Sequence, residues 1–269
     1  MDKYYQINLK RWNELVAIHA KSKSYNLKGF LEGETSLHSL ELEALGDVKE
    51  KNLLHLQCHF GLDTLSWASL GAKVTGVDFS SKAITLAREL AKRTGLKAEF
   101  ICCNIYDLIN HLDRQFDIVY STYGVVNWLH DLDAWACIIA RYLQPSGIFF
   151  LAEFHPFMWV FDDEHPSELR VRESYWHSQK PTFYQTEGTY ADPDARVENT
   201  GEYEWPHPMS EVVNSLINAG LVIMELNEYP FSVDSHQLAF MKQSKDGYAR
   251  LPGYDLPLMY SITARKVQH

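Results

Sequence analysis

No apolar run in the 269 residues approaches the ~20 that a bilayer-spanning helix needs, and Met1 to Lys10 holds no apolar leader core. Cysteine is scarce. Cys58, Cys102, Cys103 and Cys137 form no CxxC pair and no regular framework, which reads as reduced thiols in a cytoplasmic protein. Basic residues are in deficit, with 25 Lys and Arg against 35 Asp and Glu, and a formal charge of −10 disfavours nucleic acid as a partner. There is no internal repeat and no low-complexity tract. With 46% hydrophobic and 22% charged residues the chain has globular composition, and its length suits one large α/β domain with an insertion.

Periodicity divides the chain. Residues 4–20 read as a helix, and Thr35 or Ser36 can cap a second one carrying Leu37, Leu40 and Leu45, ended by Gly46. From residue 52, short apolar runs alternate with helical patterns. The strands are 53–56, 73–77, 98–103, 116–120 and 148–152. The helices are 62–70, one from Ser80 or Ser81 to Gly95, a short one around 108–112, and one through Leu132, Trp135, Ile139 and Tyr142. Five strands alternating with helices predict βαβ units and a parallel sheet. Residues 157–206 break the rhythm and hold ten aromatics, eleven acidic and four basic residues, as expected of an insertion covering one end of the sheet. A helix capped by Ser210 and strands at 221–225 and 258–264 follow, with a loop or short helix at 232–254 between the strands. The expected organisation is an N-terminal helical lid (1–50), a core (51–156), the insertion (157–206) and a C-terminal segment (207–269).

In an open parallel sheet, ligands bind at the carboxyl ends of the strands, beside the point where strand order reverses. Those ends carry Gln57–Cys58–His59–Phe60–Gly61, Asp78, Asn104, Ser121–Thr122–Tyr123 and Glu153–Phe154–His155. Gly61, lacking a Cβ, permits close approach of a ligand to backbone. Asp78, 17 residues later, can accept both hydroxyls of a ribose, or can be a carboxylate at a helix N-terminus. Asn104 can bond an adenine edge between Ile105 and Phe79, or close an Asx turn.

Leu53 to Gly61 resembles motif I of the class I S-adenosylmethionine-dependent methyltransferases. Val77–Asp78–Phe79–Ser80 resembles the acidic loop that follows it, Phe100 to Asp107 the adenine motif, and Phe116 to Ser121 motif IV. Leu143 to Gly147 is similar to the turn before strand five. The resemblance covers about residues 50–155, more weakly 205–265. It implies a Rossmann-like, doubly wound, mostly parallel seven-stranded sheet. It also implies S-adenosyl-L-methionine as cofactor, with Trp12, Gln57, His59, Gly61, Asp78, Phe79, Asn104, Ile105 and Thr122 around it. The chain departs from the family where His55 replaces an acidic residue and where Gln57 and His59 replace glycines. Loss of the glycine-rich turn disfavours the pyrophosphate of NAD or FAD. Gln57 and His59 are then expected to bond the methionyl carboxylate or amine.

A sulfonium methyl is already activated, so the protein has to align an acceptor and exclude water. Trp12, Tyr25, Tyr123 and Trp128 are candidates for an aromatic wall, Trp12 being equally a core residue. His155 is the expected general base with Glu153 orienting it, Tyr123 a further catalytic candidate, and His130 and His207 weaker ones. Spacing shows no three-ligand set, so no metal is expected, and Asp162–Asp163–Glu164–His165 reads as a surface cluster. The aromatics Phe157, Trp159, Tyr175, Trp176, Phe183, Tyr184, Tyr203 and Trp205 are expected to roof an acceptor site. Its acidity suits a small neutral or cationic acceptor rather than nucleic acid or an acidic metabolite. A monomer or homodimer without membrane contact is expected. A non-catalytic nucleoside binder and a nicotinamide oxidoreductase are the competing readings.

Overall fold

The computed structural model describes residues 3–177, 180–235 and 237–267. Ser178 and Gln179 of the expected insertion, and His236 of the expected 232–254 loop, lie outside the described residues. Three helices open the chain: α1 (Lys3–His19), α2 (Leu27–Leu31) and α3 (Ser39–Leu45). The core follows as β1 (Asn52–Leu56), α4 (Leu62–Ser69), β2 (Lys73–Asp78), α5 (Ser81–Thr94), β3 (Ala98–Cys102), β4 (Phe116–Thr122), α6 (Leu132–Tyr142) and β5 (Leu143–Phe154). Then come β6 (Thr182–Gln185), β7 (Gly201–Glu204), α7 (Met209–Asn218), β8 (Leu221–Tyr229), β9 (Lys242–Gln243), β10 (Ala249–Arg250) and β11 (Met259–Lys266).

The main sheet has seven strands in the order β3–β2–β1–β4–β5–β11–β8, with β11 antiparallel to both neighbours. Strand order reverses between β1 and β4, which sets the ligand crevice at their carboxyl ends. Helices cover both faces, so the central strands read as unbroken apolar runs: Leu53, Leu54 and Leu56 are all fully buried. On one face α6 and α7 bring Trp135, Ile139 and Leu216 against Leu54, Leu56, Val119 and Phe149. On the other, α3 and α4 pack Leu40 and Trp67 over Leu53, Ile118 and Tyr120, and α5 packs Ile84 and Ala87 near Phe100. Helix α5 shows how local sequence sets an element. Ser80 caps it by accepting from Ala83 N, Gly95 ends it at φ 72°, and Ala83, Ile84, Ala87 and Leu90 form its buried stripe.

Several expected boundaries move. Ser36 does not cap α3. Its hydroxyl donates to Asp63 Oδ1 (2.6 Å), and the helix starts two residues after the Leu37 expected inside it. The short α2, capped by Asn26 at φ 41°, has no counterpart in the periodicity. The helix expected around 108–112 is a 3₁₀ turn at Ile105–Asn110. Helix α7 begins after Pro208 rather than under a Ser210 cap. Strand β5 runs straight through the expected Pro145–Ser146–Gly147 turn, with Ser146 at φ 67° and a register shift against β4.

Among its described residues the 157–206 segment holds no α-helix, and its two halves pack differently. Its first half joins Met158 to Leu238, Met241, Leu251 and Leu258, a small core shared with the 232–258 segment. Its second half forms the β6–β7 hairpin, which docks on α1. Asn8 pairs with the Tyr203 backbone through both its amide atoms (2.8 Å each). Arg11, 2% exposed, binds Glu202 (2.7 Å) and the carbonyls of Thr186, Gly188 and Asn199. The other end of the α1 contact is Asn13, whose Oδ1 accepts from Ser80 Oγ and Lys82 N at the start of α5. Helix α1 and the hairpin are therefore one layer over the β1–β2 end of the crevice. Removing one member of a buried, multiply bonded ion pair costs about 3–5 kcal/mol. Arg11→Ala is expected to lower unfolding stability by that order and to open 186–202 to limited proteolysis. Wild-type stability and digestion pattern in that variant would contradict the reading.

Candidate active site

The carboxyl ends of β1 to β4 open into a cavity of about 830 Å³. Trp12, Gln57, His59, Gly61, Asp78, Phe79, Asn104, Ile105, Thr122 and Tyr123 all line it. Among the described residues, its carboxylates are Glu34, Asp63, Asp78 and Asp107, and no Lys or Arg lines it.

The turn after β1 fixes the geometry. Gln57, His59 and Gly61 adopt φ of 57°, 49° and 76°. Alternate residues thus take the left-handed conformation that glycine tolerates and that costs other residues about 1–2 kcal/mol each. Two bonds offset that strain. Gln57 Nε2 donates to Val125 O (3.0 Å), and His59 N donates to Asp78 Oδ2 (2.8 Å). The glycine at 61 has a reason different from ligand approach: a Cβ there would stand 2.7 Å from the Phe100 ring and 3.2 Å from Ala87. Gly61 keeps the turn packed on α5 and β3.

Asp78 joins this turn to the next. Its Oδ1 accepts from Ser80 N (2.8 Å) and its Oδ2 from His59 N, which leaves a lone pair on each oxygen. Burial pushes its pKa up to about 6, against the downward pull of those N–H bonds. Asn104 closes the expected Asx turn, Oδ1 accepting from Tyr106 N (3.1 Å), and still lines the cavity beside Ile105. Phe79 packs edge-on against Tyr5 of α1 (5.5 Å).

Toward the other end Trp12, Tyr25, Tyr123 and Trp128 line the cavity, joined by further side chains. Trp12 stands edge-on to Trp128 (5.2 Å) and His59 (5.4 Å), and Tyr25 stacks on His19 (5.1 Å). His19 Nδ1 meets His59 Nε2 at 3.0 Å, and its Nε2 meets Thr189 Oγ1 at 2.8 Å. Burial holds His19 down to about 3 and His59 well below the usual histidine value, so both rings are neutral. Tyr25 and Tyr190 share a hydroxyl–hydroxyl bond. Tyr123 donates its hydroxyl to Glu41, which also accepts from Tyr120 (3.3 Å). Burial, followed by the Asp63 charge, pushes Glu41 up to about 7, and burial pushes Asp63 up to about 6. His19, Glu41, Asp63 and Tyr190 were not visible as site residues. Asp63 alone left a signal, an acid in the first helical turn after Gly61.

Three expectations are corrected. Glu153 and His155 do not line the cavity. Glu153 is buried, with both oxygens taken by the backbone N–H groups of Gly124, Val125, Val126 and Phe154 (2.6–3.1 Å). His155 pairs with Glu228 (2.9 Å) on β8 and accepts from Phe157 N. The carboxylate braces the segment after β4 instead of orienting an imidazole. Of the eight aromatics expected as a roof, only Trp205 lines the cavity. Trp176 and Phe183 are exposed, and Tyr203 packs on Tyr4 (4.6 Å). Tyr4, Tyr5 and Trp12 of α1, with Tyr190, supply the roof instead. Among the weaker base candidates, His130 lines the cavity beside Tyr106 (4.5 Å), whereas His207 is buried with Nε2 on Leu129 O (2.7 Å). Asp162 and Asp163 are, as expected, surface residues, paired with Arg172.

Residues 54–151 match a family model described as a methyltransferase domain. The chain is 26% identical over 166 residues to YbaJ, an uncharacterized methyltransferase of Bacillus subtilis, the match spanning 58% of this chain and 60% of that one. Its fold is similar to that of an S-adenosylmethionine-dependent methyltransferase from Mesorhizobium loti, with a TM-score of 0.61 at 19% identity over 88% of this chain and 100% of that one. It is also similar to the 1,6-didemethyltoxoflavin-N1-methyltransferase of Burkholderia thailandensis, with a TM-score of 0.55 at 15% identity over 99% of this chain and 90% of that one. No helix among the described residues is long and apolar enough to cross a membrane.

A carboxyl whose folded pKa lies above its unfolded value adds stability below the unfolded value and loses it as pH rises through the folded one. For Asp78 that window runs from the ordinary 3.8 to about 6. The stability lost across it is on the order of 2–3 kcal/mol. In urea titrations, Asp78→Asn is expected to show a shallower fall in stability between those pH values than wild type. Parallel slopes would contradict the buried-carboxylate reading.

Proposed function

We propose that this chain is a class I S-adenosylmethionine-dependent methyltransferase, as the methyltransferase-domain match over residues 54–151 supports, and that it transfers the methyl group of S-adenosyl-L-methionine to a small, neutral or cationic acceptor. The observation that carries this reading is the charge of the cavity. Four carboxylates and an aromatic wall line it without Lys or Arg among the described residues. Such a surface favours a sulfonium, an ammonium and uncharged rings, and repels phosphates.

The residues present fit the cofactor. Asp78 keeps a lone pair on each oxygen for two ribose hydroxyls. Gln57 Oε1 is a buried acceptor with no partner among the described residues, and Gln57 lines the cavity. An ammonium group supplies the donor that this atom lacks. Asn104, Ile105 and Phe79 would hold the adenine, and Thr122 and the β1 turn the methionyl part. When bound, S-adenosyl-L-methionine supplies an electrophilic methyl that needs no further activation.

What remains for the protein is alignment, exclusion of water and removal of the acceptor's proton. Trp12 and Trp128 shield the reaction and add cation–π attraction of ~0.5–2 kcal/mol toward positive charge. Tyr123 is our candidate for the proton step. Its hydroxyl oxygen can take the acceptor's proton while its own passes to Glu41, whose pKa near 7 suits a base at neutral pH. The 1,6-didemethyltoxoflavin-N1-methyltransferase among the similar structures supports a small acceptor.

Calorimetry with S-adenosylmethionine and S-adenosylhomocysteine tests the cofactor. Saturable binding is expected, weakened by about 100-fold or more in Asp78→Ala through loss of two charge-assisted bonds. Affinity is expected to fall as pH drops below about 6, where Asp78 protonates. No saturable heat at millimolar ligand would end the proposal. Release of S-adenosylhomocysteine from a panel of small amines and phenols tests turnover. Tyr123→Phe is expected to cut it by ~10²–10⁴-fold while leaving product affinity unchanged. Full turnover in that variant would remove the Tyr123–Glu41 relay, and binding without turnover on any acceptor would favour a non-catalytic binder.

A further inference from the structure

Among the described residues, one cluster of three metal-ligating side chains stands outside the cavity. His177 belongs to the insertion, whereas His207 and Glu211 belong to the entry and first turn of α7, 30 and 34 residues further along. The Nδ1 atoms of both imidazoles converge on the same carboxylate oxygen, Glu211 Oε2, at 2.9 and 2.8 Å. The three ligand atoms lie within 4.8 Å of one another, and the two rings stand edge-on at 4.6 Å.

The decisive detail is on the far side of His207. Its Nε2 lies 2.7 Å from the backbone carbonyl of Leu129, in the buried interior. A carbonyl can only accept, so Nε2 carries the hydrogen. With Nε2 turned to that carbonyl, Nδ1 faces Glu211 Oε2 at 2.8 Å, and either a proton on that axis or a cation between the two atoms can bridge them. A backbone carbonyl behind the non-ligating nitrogen is the support that metal-binding histidines use to fix tautomer and orientation. Tyr175, two residues from His177, accepts from Met209 N at the start of α7 (3.1 Å), so the segment is already docked.

We propose that His177, His207 and Glu211 form a binding site for one divalent transition metal of the zinc class, with water completing the coordination. Two imidazoles and a carboxylate suit such an ion, at ~2.0–2.2 Å from each ligand atom. In a tetrahedron those bonds separate ligand atoms by ~3.3 Å, so closure around the ion asks only for shifts below an ångström or so. The ion would tie the first half of the insertion to α7. Through Leu129, it would also tie it to the segment whose neighbours Trp128 and His130 line the cavity. The role is structural, because none of the three ligands lines the cavity.

The test uses the full chain freed of any affinity tag and stripped with a chelator. Titration with cobalt(II) is expected to give visible d–d absorption that saturates at one equivalent and is displaced by zinc. Zinc is also expected to raise the melting temperature. His177→Ala and Glu211→Gln, both at partly exposed positions, are each expected to weaken metal affinity by about 10–100-fold with unchanged circular dichroism. The His177→Ala/Glu211→Gln double variant is expected to lose both the cobalt spectrum and the thermal shift. One-equivalent binding that persists in the double variant would overturn the assignment. So would the absence of saturable binding up to about 1 mM metal, which would leave the cluster held by protons alone.

Discussion

The Asp78 carboxylate, shared between two backbone N–H groups, holds the site together. One bond reaches back to His59 in the turn after β1, the other forward to Ser80 at the start of α5. The first of these and the bond from Gln57 Nε2 to Val125 O offset the strain of two non-glycine residues at positive φ, about 1–2 kcal/mol apiece. Residues 57, 59 and 61 thus share positive φ although only the last is a glycine. The same carboxylate is the group best placed for a ribose. In the proposed function, anchoring the loop and anchoring a ribose fall on one side chain, and its burial raises the free energy of the ionised state that both tasks need.

The substitutions that depart from the family pattern have structural uses in this chain. His59 extends from the strained turn to His19 of α1, and His19 continues to Thr189 of the insertion. Three chain-distant elements meet there through neutral, buried hydrogen-bonding groups. The Arg11 contacts tie the same helix to the same hairpin from the other side. A cover held together by Arg11 and joined to the β1 turn through His19 and His59 can order with a ligand as one unit. His55, in the place of the family's acidic residue, is buried with Nδ1 on Thr64 Oγ1 (2.8 Å) and is held neutral at about 3 by that burial. Its position inside the α4 face of the sheet needs an uncharged group.

The central sheet was legible because its strands are buried on both faces. That makes them continuous apolar runs, each ending in a polar residue, and the crevice rule then located Asp78, Asn104 and Thr122. The failures have a common cause. Glu153 and His155 were linked by strand alternation, which says which face a side chain takes but not which backbone groups it meets. Three N–H groups of the segment after β4, with that of Phe154 in its own strand, claim Glu153 first. Composition suggests a roof from the aromatics of the insertion, but it cannot say that Met158, Phe161 and Leu169 join a core with Leu238, Met241 and Leu258. Glu41, fully buried in α3 between Leu40 and Leu42, looks like the polar face of an amphipathic helix until Tyr120 and Tyr123 approach it. Contacts between distant segments decide all these cases, and no local period encodes them.

The central claim is that the Asp78 carboxylate, held by His59 N and Ser80 N, is the sugar anchor of this crevice. A crystal structure of the chain with S-adenosylhomocysteine tests it most directly. The account requires both ribose hydroxyls within hydrogen-bond distance of the Asp78 oxygens, the two backbone bonds retained, and Gln57 and His59 still at positive φ. A nucleoside bound elsewhere, or a β1 turn that abandons Asp78 to admit it, would contradict the account.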